Sequence, residues 1–145
     1  MKLSMKGDYG VRALMDLAQH FGQGSVQSSE IAARQGIPEP YLDQLLTTLR
    51  KAGFINSRRG PQGGHVLARS PREISLGEVV GALEGSIAPI GCVEESSACP
   101  HLSNCAQRDV WLTITQATQK VLDTTSIEEL MVKQQRRREA GMYHI

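Results

Sequence analysis

The stretch from Ser28 to Ser70 constrains the fold most, because two short helical patterns are followed at once by a hairpin pattern. The first helix takes its N-cap oxygen from Ser28 or Ser29, and Gly36 ends it. The second, "YLDQLLTTLRKAG", has leucines along one face and polar or basic side chains on the rest. Two helices joined by a tight glycine-containing turn, the second polar on its outer face, are typical of a helix-turn-helix.

A β-hairpin is predicted directly after these helices. The runs "FINS" and "HVLAR" favour strands, and "RRGPQGG" between them supplies an extended turn. A hairpin in this position is a wing. Arg58 and Arg59 at its tip suit the minor groove of DNA, because weakly hydrated guanidinium groups enter its negative potential. Gly60, Gly63 and Gly64 would let this backbone approach a sugar–phosphate chain, although an exposed turn with chance arginines is the alternative.

The polar face of the second helix offers side chains that suit contacts with DNA. Those predicted to reach base edges and backbone are Tyr41, Gln44 and Thr47. Glutamine has the bidentate geometry that adenine accepts. Asp43 either accepts from cytosine or rejects wrong sites, or it is simply favoured by the positive end of the helix dipole. Arg50 and Lys51 are phosphate clamps or solvated charges.

The charge distribution agrees with a polyanion-facing front half. Residues 1–72 hold ten Lys or Arg and five Asp or Glu, whereas residues 73–145 hold six and ten. The front half is therefore basic although the whole chain carries only +1. Such asymmetry suggests a nucleic-acid-binding module joined to a segment that does other work.

Further helices are predicted on either side of this region. A helix near the N-terminus is predicted from an apolar stripe, formed by Val11, Leu14, Met15, Ala18 and Phe21. "SLGE" is a capping box that starts a helix through about Leu83. "TSIE", from Thr125 to Glu128, is a second capping box that starts a last helix.

One long helix from about Asn104 keeps a steady apolar seam. Its members are Val110, Ile114, Ala117 and Val121. A helix this apolar is not a solvated spoke, so it packs on its own domain or pairs with its twin. Helix-turn-helix proteins bind two-fold sites as dimers, which favours a homodimer helix.

The three cysteines lie together in a polar segment without helical periodicity, residues 86–104 and the position just after it. Cys92, Cys99 and Cys105 follow the spacing C-x6-C-x5-C. No apolar run spans a bilayer and the N-terminus lacks a secretory signal, so a cytoplasmic, membrane-free protein is expected. In a reducing cytosol, clustered thiols are metal ligands or redox groups more often than structural disulfides.

Several stretches together resemble the IscR/NsrR-type winged-helix transcription regulators of bacteria, the Rrf2 family. These stretches are "MKLSMKGDYGVRALMDLA", "IPEPYLDQLLTTLRKAGFINSRRGPQGGHVLAR", "ISLGEVVGALEG", and the run from "CAQRDVWLTI" to "TTSIEEL". The resemblance covers about residues 1–132. It implies a homodimer built on the long helix, a double-stranded DNA operator, and Arg59 in the minor groove. Tyr41, Asp43 and Gln44 match the family's recognition-helix readers, whereas Pro40 replaces a serine that contacts DNA in some members.

The resemblance also implies an iron–sulfur cluster, 2Fe-2S or 4Fe-4S, on Cys92, Cys99 and Cys105. Thiolates suit such clusters because soft sulfur donors match iron. Where some members have a histidine as fourth ligand, this chain has Arg108, which cannot ligate a metal. Other members use an aspartate of the partner subunit, and Asp8 matches it.

Alternatives remain open at the cysteines. His101 is the other candidate fourth ligand, and a fourth ligand that is exogenous or absent is a further alternative. Three cysteines with one histidine also suit zinc. Cys99 and Cys105 could instead form a reversible, oxidant-sensing disulfide. Cluster-free members of the family regulate cysteine and sulfur metabolism, sometimes through a partner enzyme.

The sequence therefore predicts a mainly α protein with a small hairpin, acting as a DNA-binding regulator, a repressor, rather than an enzyme. The predicted parts are a winged helix-turn-helix domain (1–85), a cysteine-bearing sensor loop (86–106), dimerisation helices (107–138) and a tail (139–145). A thiol or metal enzyme is the distant alternative, because no Cys-x-x-Cys, nucleophile elbow or paired carboxylates support it.

Overall fold

The computed structural model describes residues 1–95 and 99–142. Seven α-helices and one hairpin follow one another along these residues. The helices are α1 (Met5–Gln19), α2 (Ser28–Gln35), α3 (Glu39–Lys51), α4 (Leu76–Glu84), α5 (Gly91–Glu94), α6 (Ala106–Thr124) and α7 (Ile127–Met142). The strands are β1 (Ile55–Arg58) and β2 (Gly64–Leu67), and short 3-10 turns span Pro71–Glu73 and Leu102–Asn104. The predicted fold class, mainly α with a small hairpin, is confirmed.

The helix-turn-helix forms as predicted, but its first cap differs. Gly36 ends α2 in the left-handed conformation at φ 64°, which suits a residue without a Cβ. The N-cap is Gln27, whose backbone N–H donates to the Glu30 carboxylate at 3.0 Å. The expectation of Ser28 or Ser29 as N-cap is wrong, because both serines already lie inside the helix.

A buried carboxylate fixes α2 against α1. Asp16 is 1% exposed and accepts hydrogen bonds from both Arg34 Nε at 3.0 Å and Arg34 Nη2 at 2.8 Å. Gln35 donates to the same carboxylate at 2.9 Å. The hydrogen bonds that Arg34 donates to Asp16 raise the pKa of Arg34. Because a buried charge needs such partners, these contacts set the position of the helix-turn-helix on α1.

The wing is a two-stranded hairpin, and the segment at Val26 pairs with the outer side of its second strand. β1 and β2 pair antiparallel, with Ile55 opposite Leu67 and Arg58 opposite Gly64. Val26 forms an isolated bridge to His65, and their backbone N–H and C=O groups exchange hydrogen bonds of 2.7 and 2.9 Å. The wing root is therefore held from both sides, and the Ser25 hydroxyl also donates to the Gln62 carbonyl of the tip at 3.1 Å.

The core lies between α1, α3, the wing root, α4 and α7. Its fully buried members include Leu14, Ile31, Leu42, Leu49, Ile74 and Ile127. Ile127 belongs to α7, and Met131 of the same helix packs against this core. By its packing, α7 therefore joins the winged domain, whereas the sequence grouped it with the dimerisation helix. It also continues through Met142, past residue 138, where the sequence ends the helical segment; residues 143–145 lie outside the described residues.

The start of α4 is joined to the turn between α6 and α7. Ser75 and Ser126 form a β-bridge; Leu76 N donates to Thr125 O at 2.7 Å, and Ile127 N to Ile74 O at 2.9 Å. The predicted capping box of Ser75 and Glu78 is confirmed. The second box is one residue later than predicted, because Ser126 caps Glu129 N at 3.1 Å. These contacts fix the carboxyl end of α6 to the winged domain.

Two glycines let α1 approach α4 closely. A Cβ at Gly7 would overlap the Glu84 carboxylate, and a Cβ at Gly10 would overlap the side chain of Leu83. We expect the free energy of unfolding of Gly10→Ala to be about 1–3 kcal/mol below that of a helical Gly→Ala variant without such a contact, because Leu83 is buried and must move. Urea unfolding followed by circular dichroism measures this.

Gly81→Ala is the matched control for that substitution. Gly81 lies inside α4 without a positive φ, and no atom lies within 4 Å of its ideal Cβ. We expect it to stabilise the protein by about 0.5–1 kcal/mol, since alanine favours a helix. Equal effects of the two substitutions would contradict the close packing of α1 on α4.

Within the described residues, the structure has no helix long and apolar enough to cross a membrane.

Candidate nucleic-acid interface and cysteine cavity

One face of α3 is anchored in the core and the other is free for a ligand. Leu42, Leu45, Leu46 and Leu49 are at most 2% exposed. The predicted contact residues Asp43, Gln44 and Arg50 are exposed, and Tyr41 and Thr47 are half-buried. The Thr47 hydroxyl donates to the Asp43 carbonyl at 2.9 Å, so only its lone pairs remain available. The buried leucines thus leave Asp43, Gln44 and Arg50 exposed, whereas the partly buried Tyr41 also packs against the edge of the core.

Tyr41 is the predicted contact residue with the most fixed position. Its ring packs edge-to-face on that of Tyr9 in α1, with centroids 5.8 Å apart and planes at 74°. Such aromatic pairs contribute about 0.5–1.5 kcal/mol beyond burial. The first turn of α3 is therefore braced directly by α1.

The wing tip presents two arginines on an exposed turn. Arg58 ends β1 and Arg59 follows it, and both side chains are exposed. Gly60 has φ 106°, which an L side chain rarely adopts. A Cβ at Gly63 would meet the backbone oxygens of Arg58 and Gly60. These glycines are thus required by the turn itself, a reason that the expectation of close approach to DNA did not include.

Sequence reasoning missed His65 as part of this surface. His65 lies on β2, and its Nδ1 is 2.8 Å from the Ser57 hydroxyl oxygen. Burial lowers its pKa, with Asp43 raising it and Arg50 lowering it. His65 is therefore partly buried in the wing, where its side chain pairs with Ser57 across the two strands. A cavity of about 360 Å³ between the wing, the start of α2 and Glu39 is also lined by this histidine. No signal in the sequence pairs residues this far apart.

The three cysteines line one cavity at the amino end of α6. The cavity has a volume of about 530 Å³, and its lining includes Cys92, Cys99, Cys105, His101, Arg108 and Trp111. Each thiol is partly buried and forms no disulfide. Cys105 is the N-cap residue of α6, and Cys92 lies in α5. The segment predicted as a loop thus contains short helical turns that bring the three thiols to one place.

Arg108 closes this cavity on one side. Its Nε donates to the Cys92 carbonyl at 3.3 Å and so ties α5 to α6. Trp111, the single tryptophan of the chain, donates from Nε1 to Gln107 at 3.2 Å. Among residues 1–95 and 99–142, no three His, Cys, Asp or Glu side chains converge closely enough to hold a metal ion. The thiols share a cavity but are not preassembled around a single ion.

Comparison with known proteins identifies the family of this chain. The sequence profile of the family Rrf2, described as an iron-dependent transcriptional regulator, matches residues 3–133. The chain belongs to the Rrf2 family. Its relatives include protein rrf2 of Nitratidesulfovibrio vulgaris, 41% identical over 131 residues that cover 90% of this chain and 87% of that protein. Other relatives are named as HTH-type transcriptional regulators, among them CymR of Bacillus subtilis, which is 37% identical over all 145 residues, and this supports a role in transcription and DNA binding.

Solved structures show the same winged-helix fold. CymR, described as the global cysteine regulator of B. subtilis, superimposes with a TM-score of 0.78 at 37% identity, covering 92% of this chain and 98% of that one. T. potens IscR superimposes with a TM-score of 0.74 at 41% identity, covering 92% and 88%. This Rrf2 protein is therefore similar over nearly its full length to regulators of both names.

The two predicted fourth ligands occupy different parts of this Rrf2 protein. His101 lines the cysteine cavity. Asp8 does not line it; its carboxylate accepts from Arg12 Nε at 3.1 Å on α1. Within one chain, the structure therefore brings His101 and the three cysteines to one cavity, and Asp8 lies elsewhere.

Proposed function

We propose that this chain is a transcriptional repressor whose affinity for a double-stranded operator depends on an iron–sulfur cluster bound to Cys92, Cys99 and Cys105. The observation that carries this proposal is the shared cavity of the three thiols, placed where α6 begins. Soft thiolate donors are the ligands that iron–sulfur clusters take. A cluster spreads its ligands more widely than a single ion does, so thiols that line a cavity without converging fit it.

The remaining coordination position has two candidates, His101 of the same chain and Asp8 of a second subunit. His101 already lines the cavity with the three thiols. Asp8 is paired with Arg12 through Oδ1 on α1, so it would have to reach the cluster from the other chain of a dimer. A bound cluster would supply a redox-active centre that is sensitive to oxidants and nitric oxide.

DNA binding is assigned to the exposed face of α3 and to the wing tip. The proposed contacts are Tyr41, Asp43, Gln44, Thr47, Arg50, Arg58, Arg59, Gly60 and Gly63. Contacts from α3 suit the major groove, and the arginine-tipped wing suits the adjacent minor groove. Arg50 lies toward the end of the helix and is assigned to a phosphate.

The proposed active form is a homodimer paired along α6. The apolar seam predicted from the sequence is exposed in the single chain, with Val110 at 55%, Ile114 at 47% and Val121 at 64% exposure. Only Leu122 of this helix is buried. A row of exposed apolar side chains on one helix is typical of an interface, and a second copy covers it symmetrically.

Ile114→Asp tests the dimer. A carboxylate buried in the seam would lose its hydration without gaining a partner, so we expect the dimer dissociation constant to rise at least about tenfold. Sedimentation velocity across a concentration series measures this. Gln116→Asp adds the same charge to α6 away from the seam and is the control. A dimer that tolerates Ile114→Asp as well as Gln116→Asp would contradict the α6 interface.

The route from cavity to DNA follows α6. The hydrogen bond from Arg108 to the Cys92 carbonyl ties its amino end to α5, and the bridge between Ser75 and Ser126 fixes its carboxyl end to α4. A helix of 19 residues is about 28 Å long and stiff. Ordering of the cysteine segment would therefore shift the population of dimer geometries and change the spacing of the two winged domains.

A cluster-free sensor of cysteine or oxidant is the second candidate. It is favoured by Arg108, which supplies a positive charge but no metal donor beside the thiols, and by the 37% identity to the cysteine regulator CymR over all 145 residues. Anaerobic purification followed by iron and sulfide assays separates the two candidates, because only the first requires bound iron.

A further inference from the structure

The first turn of α1 is capped by a side chain from α4. Oε1 of Glu84 accepts hydrogen bonds from Ser4 N and Gly7 N, each at 3.1 Å, and from the Ser4 hydroxyl. These hydrogen bonds, with the Ser4 hydroxyl foremost, lower the pKa of Glu84 despite partial desolvation. Ser4 is the N-cap residue and its hydroxyl also accepts from Gly7 N, at 3.4 Å, so Ser4 and the last residue of α4 together cap the start of α1.

This contact leaves little space for relative movement. A Cβ at Gly7 would overlap Glu84 Oε1 and the side chain of Leu3, and a Cβ at Gly10 would overlap Leu83. Close packing of this kind transmits displacement at the buried Leu83, whereas the Glu84 hydrogen bonds add a link at the surface. A shift of the end of α4 is therefore passed to the first turns of α1.

The end of α4 leads directly into the cysteine segment. Residues 85–89 join Glu84 to Ile90, which lines the cysteine cavity together with Cys92. Ser86 and Pro89 line a second cavity, of about 360 Å³, against Glu84 and the N-terminal residues Met1 to Leu3. The segment that carries the thiols thus begins at the residue that caps α1.

The other side of the same α1 turns touches the recognition helix. Tyr9 follows Gly7 and packs edge-to-face on Tyr41, with ring centroids 5.8 Å apart. Tyr41 is in the first turn of α3 and is a proposed DNA contact. The connection from the cysteine segment to Tyr41 therefore runs along the chain through residues 85–89 to Glu84, and then by contacts through the first turns of α1 and Tyr9.

We propose that Glu84 and Tyr9 are positioning residues that couple the cysteine cavity to the recognition helix within one subunit. Glu84 sets the position of the first α1 turn, and Tyr9 transfers that position to Tyr41. This inference rests on the proposed function as regards the group bound at the thiols. The contacts that couple the cavity to the recognition helix do not depend on it. It adds an intrasubunit route to the α6 route between subunits.

The test is the change in DNA affinity when the cavity is altered in two independent ways. One is removal of the cluster from anaerobically purified protein, and the other is alkylation of the three thiols of cluster-free protein with iodoacetamide. Fluorescence anisotropy on a duplex selected from random sequence gives the dissociation constant before and after each treatment. The ratio of the two constants measures coupling, and an altered resting affinity alone does not change it.

In Glu84→Ala and Tyr9→Leu we expect the ratio of the two dissociation constants to be closer to one than in the wild type, by a factor of roughly 2 to 30. Tyr9→Phe keeps the ring contact and should keep the wild-type ratio. Glu139→Ala removes an exposed carboxylate elsewhere, on α7, and is the matched control. Glu84→Gln keeps the accepting oxygen but loses the charge, and it provides a second variant if Glu84→Ala folds poorly.

Wild-type ratios in both Glu84→Ala and Tyr9→Leu would overturn the inference. A wild-type protein that holds no iron would instead overturn the cluster proposal, while the alkylation ratio would still test the coupling. If alkylation and cluster removal both leave the wild-type affinity unchanged, the cavity is not linked to DNA binding and the inference fails.

Discussion

Arg59→Ala is expected to weaken binding to a selected operator duplex by about 1–3 kcal/mol, roughly 5- to 150-fold. Arg59 is exposed at the wing tip, where the Gly60 turn extends it beyond the body of the domain. A guanidinium in the minor groove gains from the concentrated negative potential there, and alanine removes both the charge and the reach. Anisotropy titrations at one fixed salt concentration measure the loss.

The control for this substitution is Arg72→Ala. Arg72 is also an exposed arginine of the front half, with 81% side-chain exposure, but it lies on the 3-10 turn beside Glu128 rather than on the wing. We expect it to change affinity far less, because it removes the same charge away from the proposed interface. If the two variants lost affinity equally, the wing would contribute only through overall charge, and its assignment to the minor groove would be wrong.

Replacement of any one thiol is expected to abolish cluster binding. Cys92→Ala, Cys99→Ala and Cys105→Ala each remove one of three donors, so iron, acid-labile sulfide and visible absorption should all fall to background in anaerobic preparations. The cysteines lie outside the buried core, so the free energy of unfolding of the cluster-free forms should stay within about 0.5 kcal/mol of wild type. Quenching of Trp111 fluorescence, expected on cluster binding in the wild type, should also be lost.

Ser103→Ala provides the control in the same segment. Ser103 is exposed between Cys99 and Cys105, does not line the cavity, and its substitution should leave the iron content unchanged. Retention of full iron in two or more of the cysteine variants would contradict the three-thiol site. Zinc in place of iron, lost in the same variants, would keep the site but change its chemistry.

Local signals in the sequence were sufficient for the helix-turn-helix and the wing. The leucine spacing of α3, the glycine after α2 and the glycine-rich turn each act within a few residues, where periodicity and turn chemistry decide the structure. The sequence also indicates the three cysteines as a candidate site, because they cluster in one polar segment. For α6, the apolar seam was visible, and the structure leaves it exposed.

The wrong expectations concern helix caps, where two local patterns compete. Contacts between residues far apart in the sequence could not be predicted at all. Thr125 with Glu128 and Ser126 with Glu129 fit the same capping pattern, and the structure selects the second pair because Ser126 bridges to Ser75. At the start of α2, Gln27 is the N-cap residue and pairs with Glu30, and neither serine takes that position. Contacts such as that of Glu84 with Gly7, 77 residues apart, have no local pattern at all.

The most direct test of cluster-dependent DNA binding is the ratio of operator dissociation constants for one anaerobic preparation, measured before and after its cluster is removed. The proposed function predicts a coloured, iron- and sulfide-containing protein and a ratio that departs from one by about fivefold or more, in either direction. A protein that stays colourless and iron-free after reconstitution, or equal constants before and after removal, would contradict it.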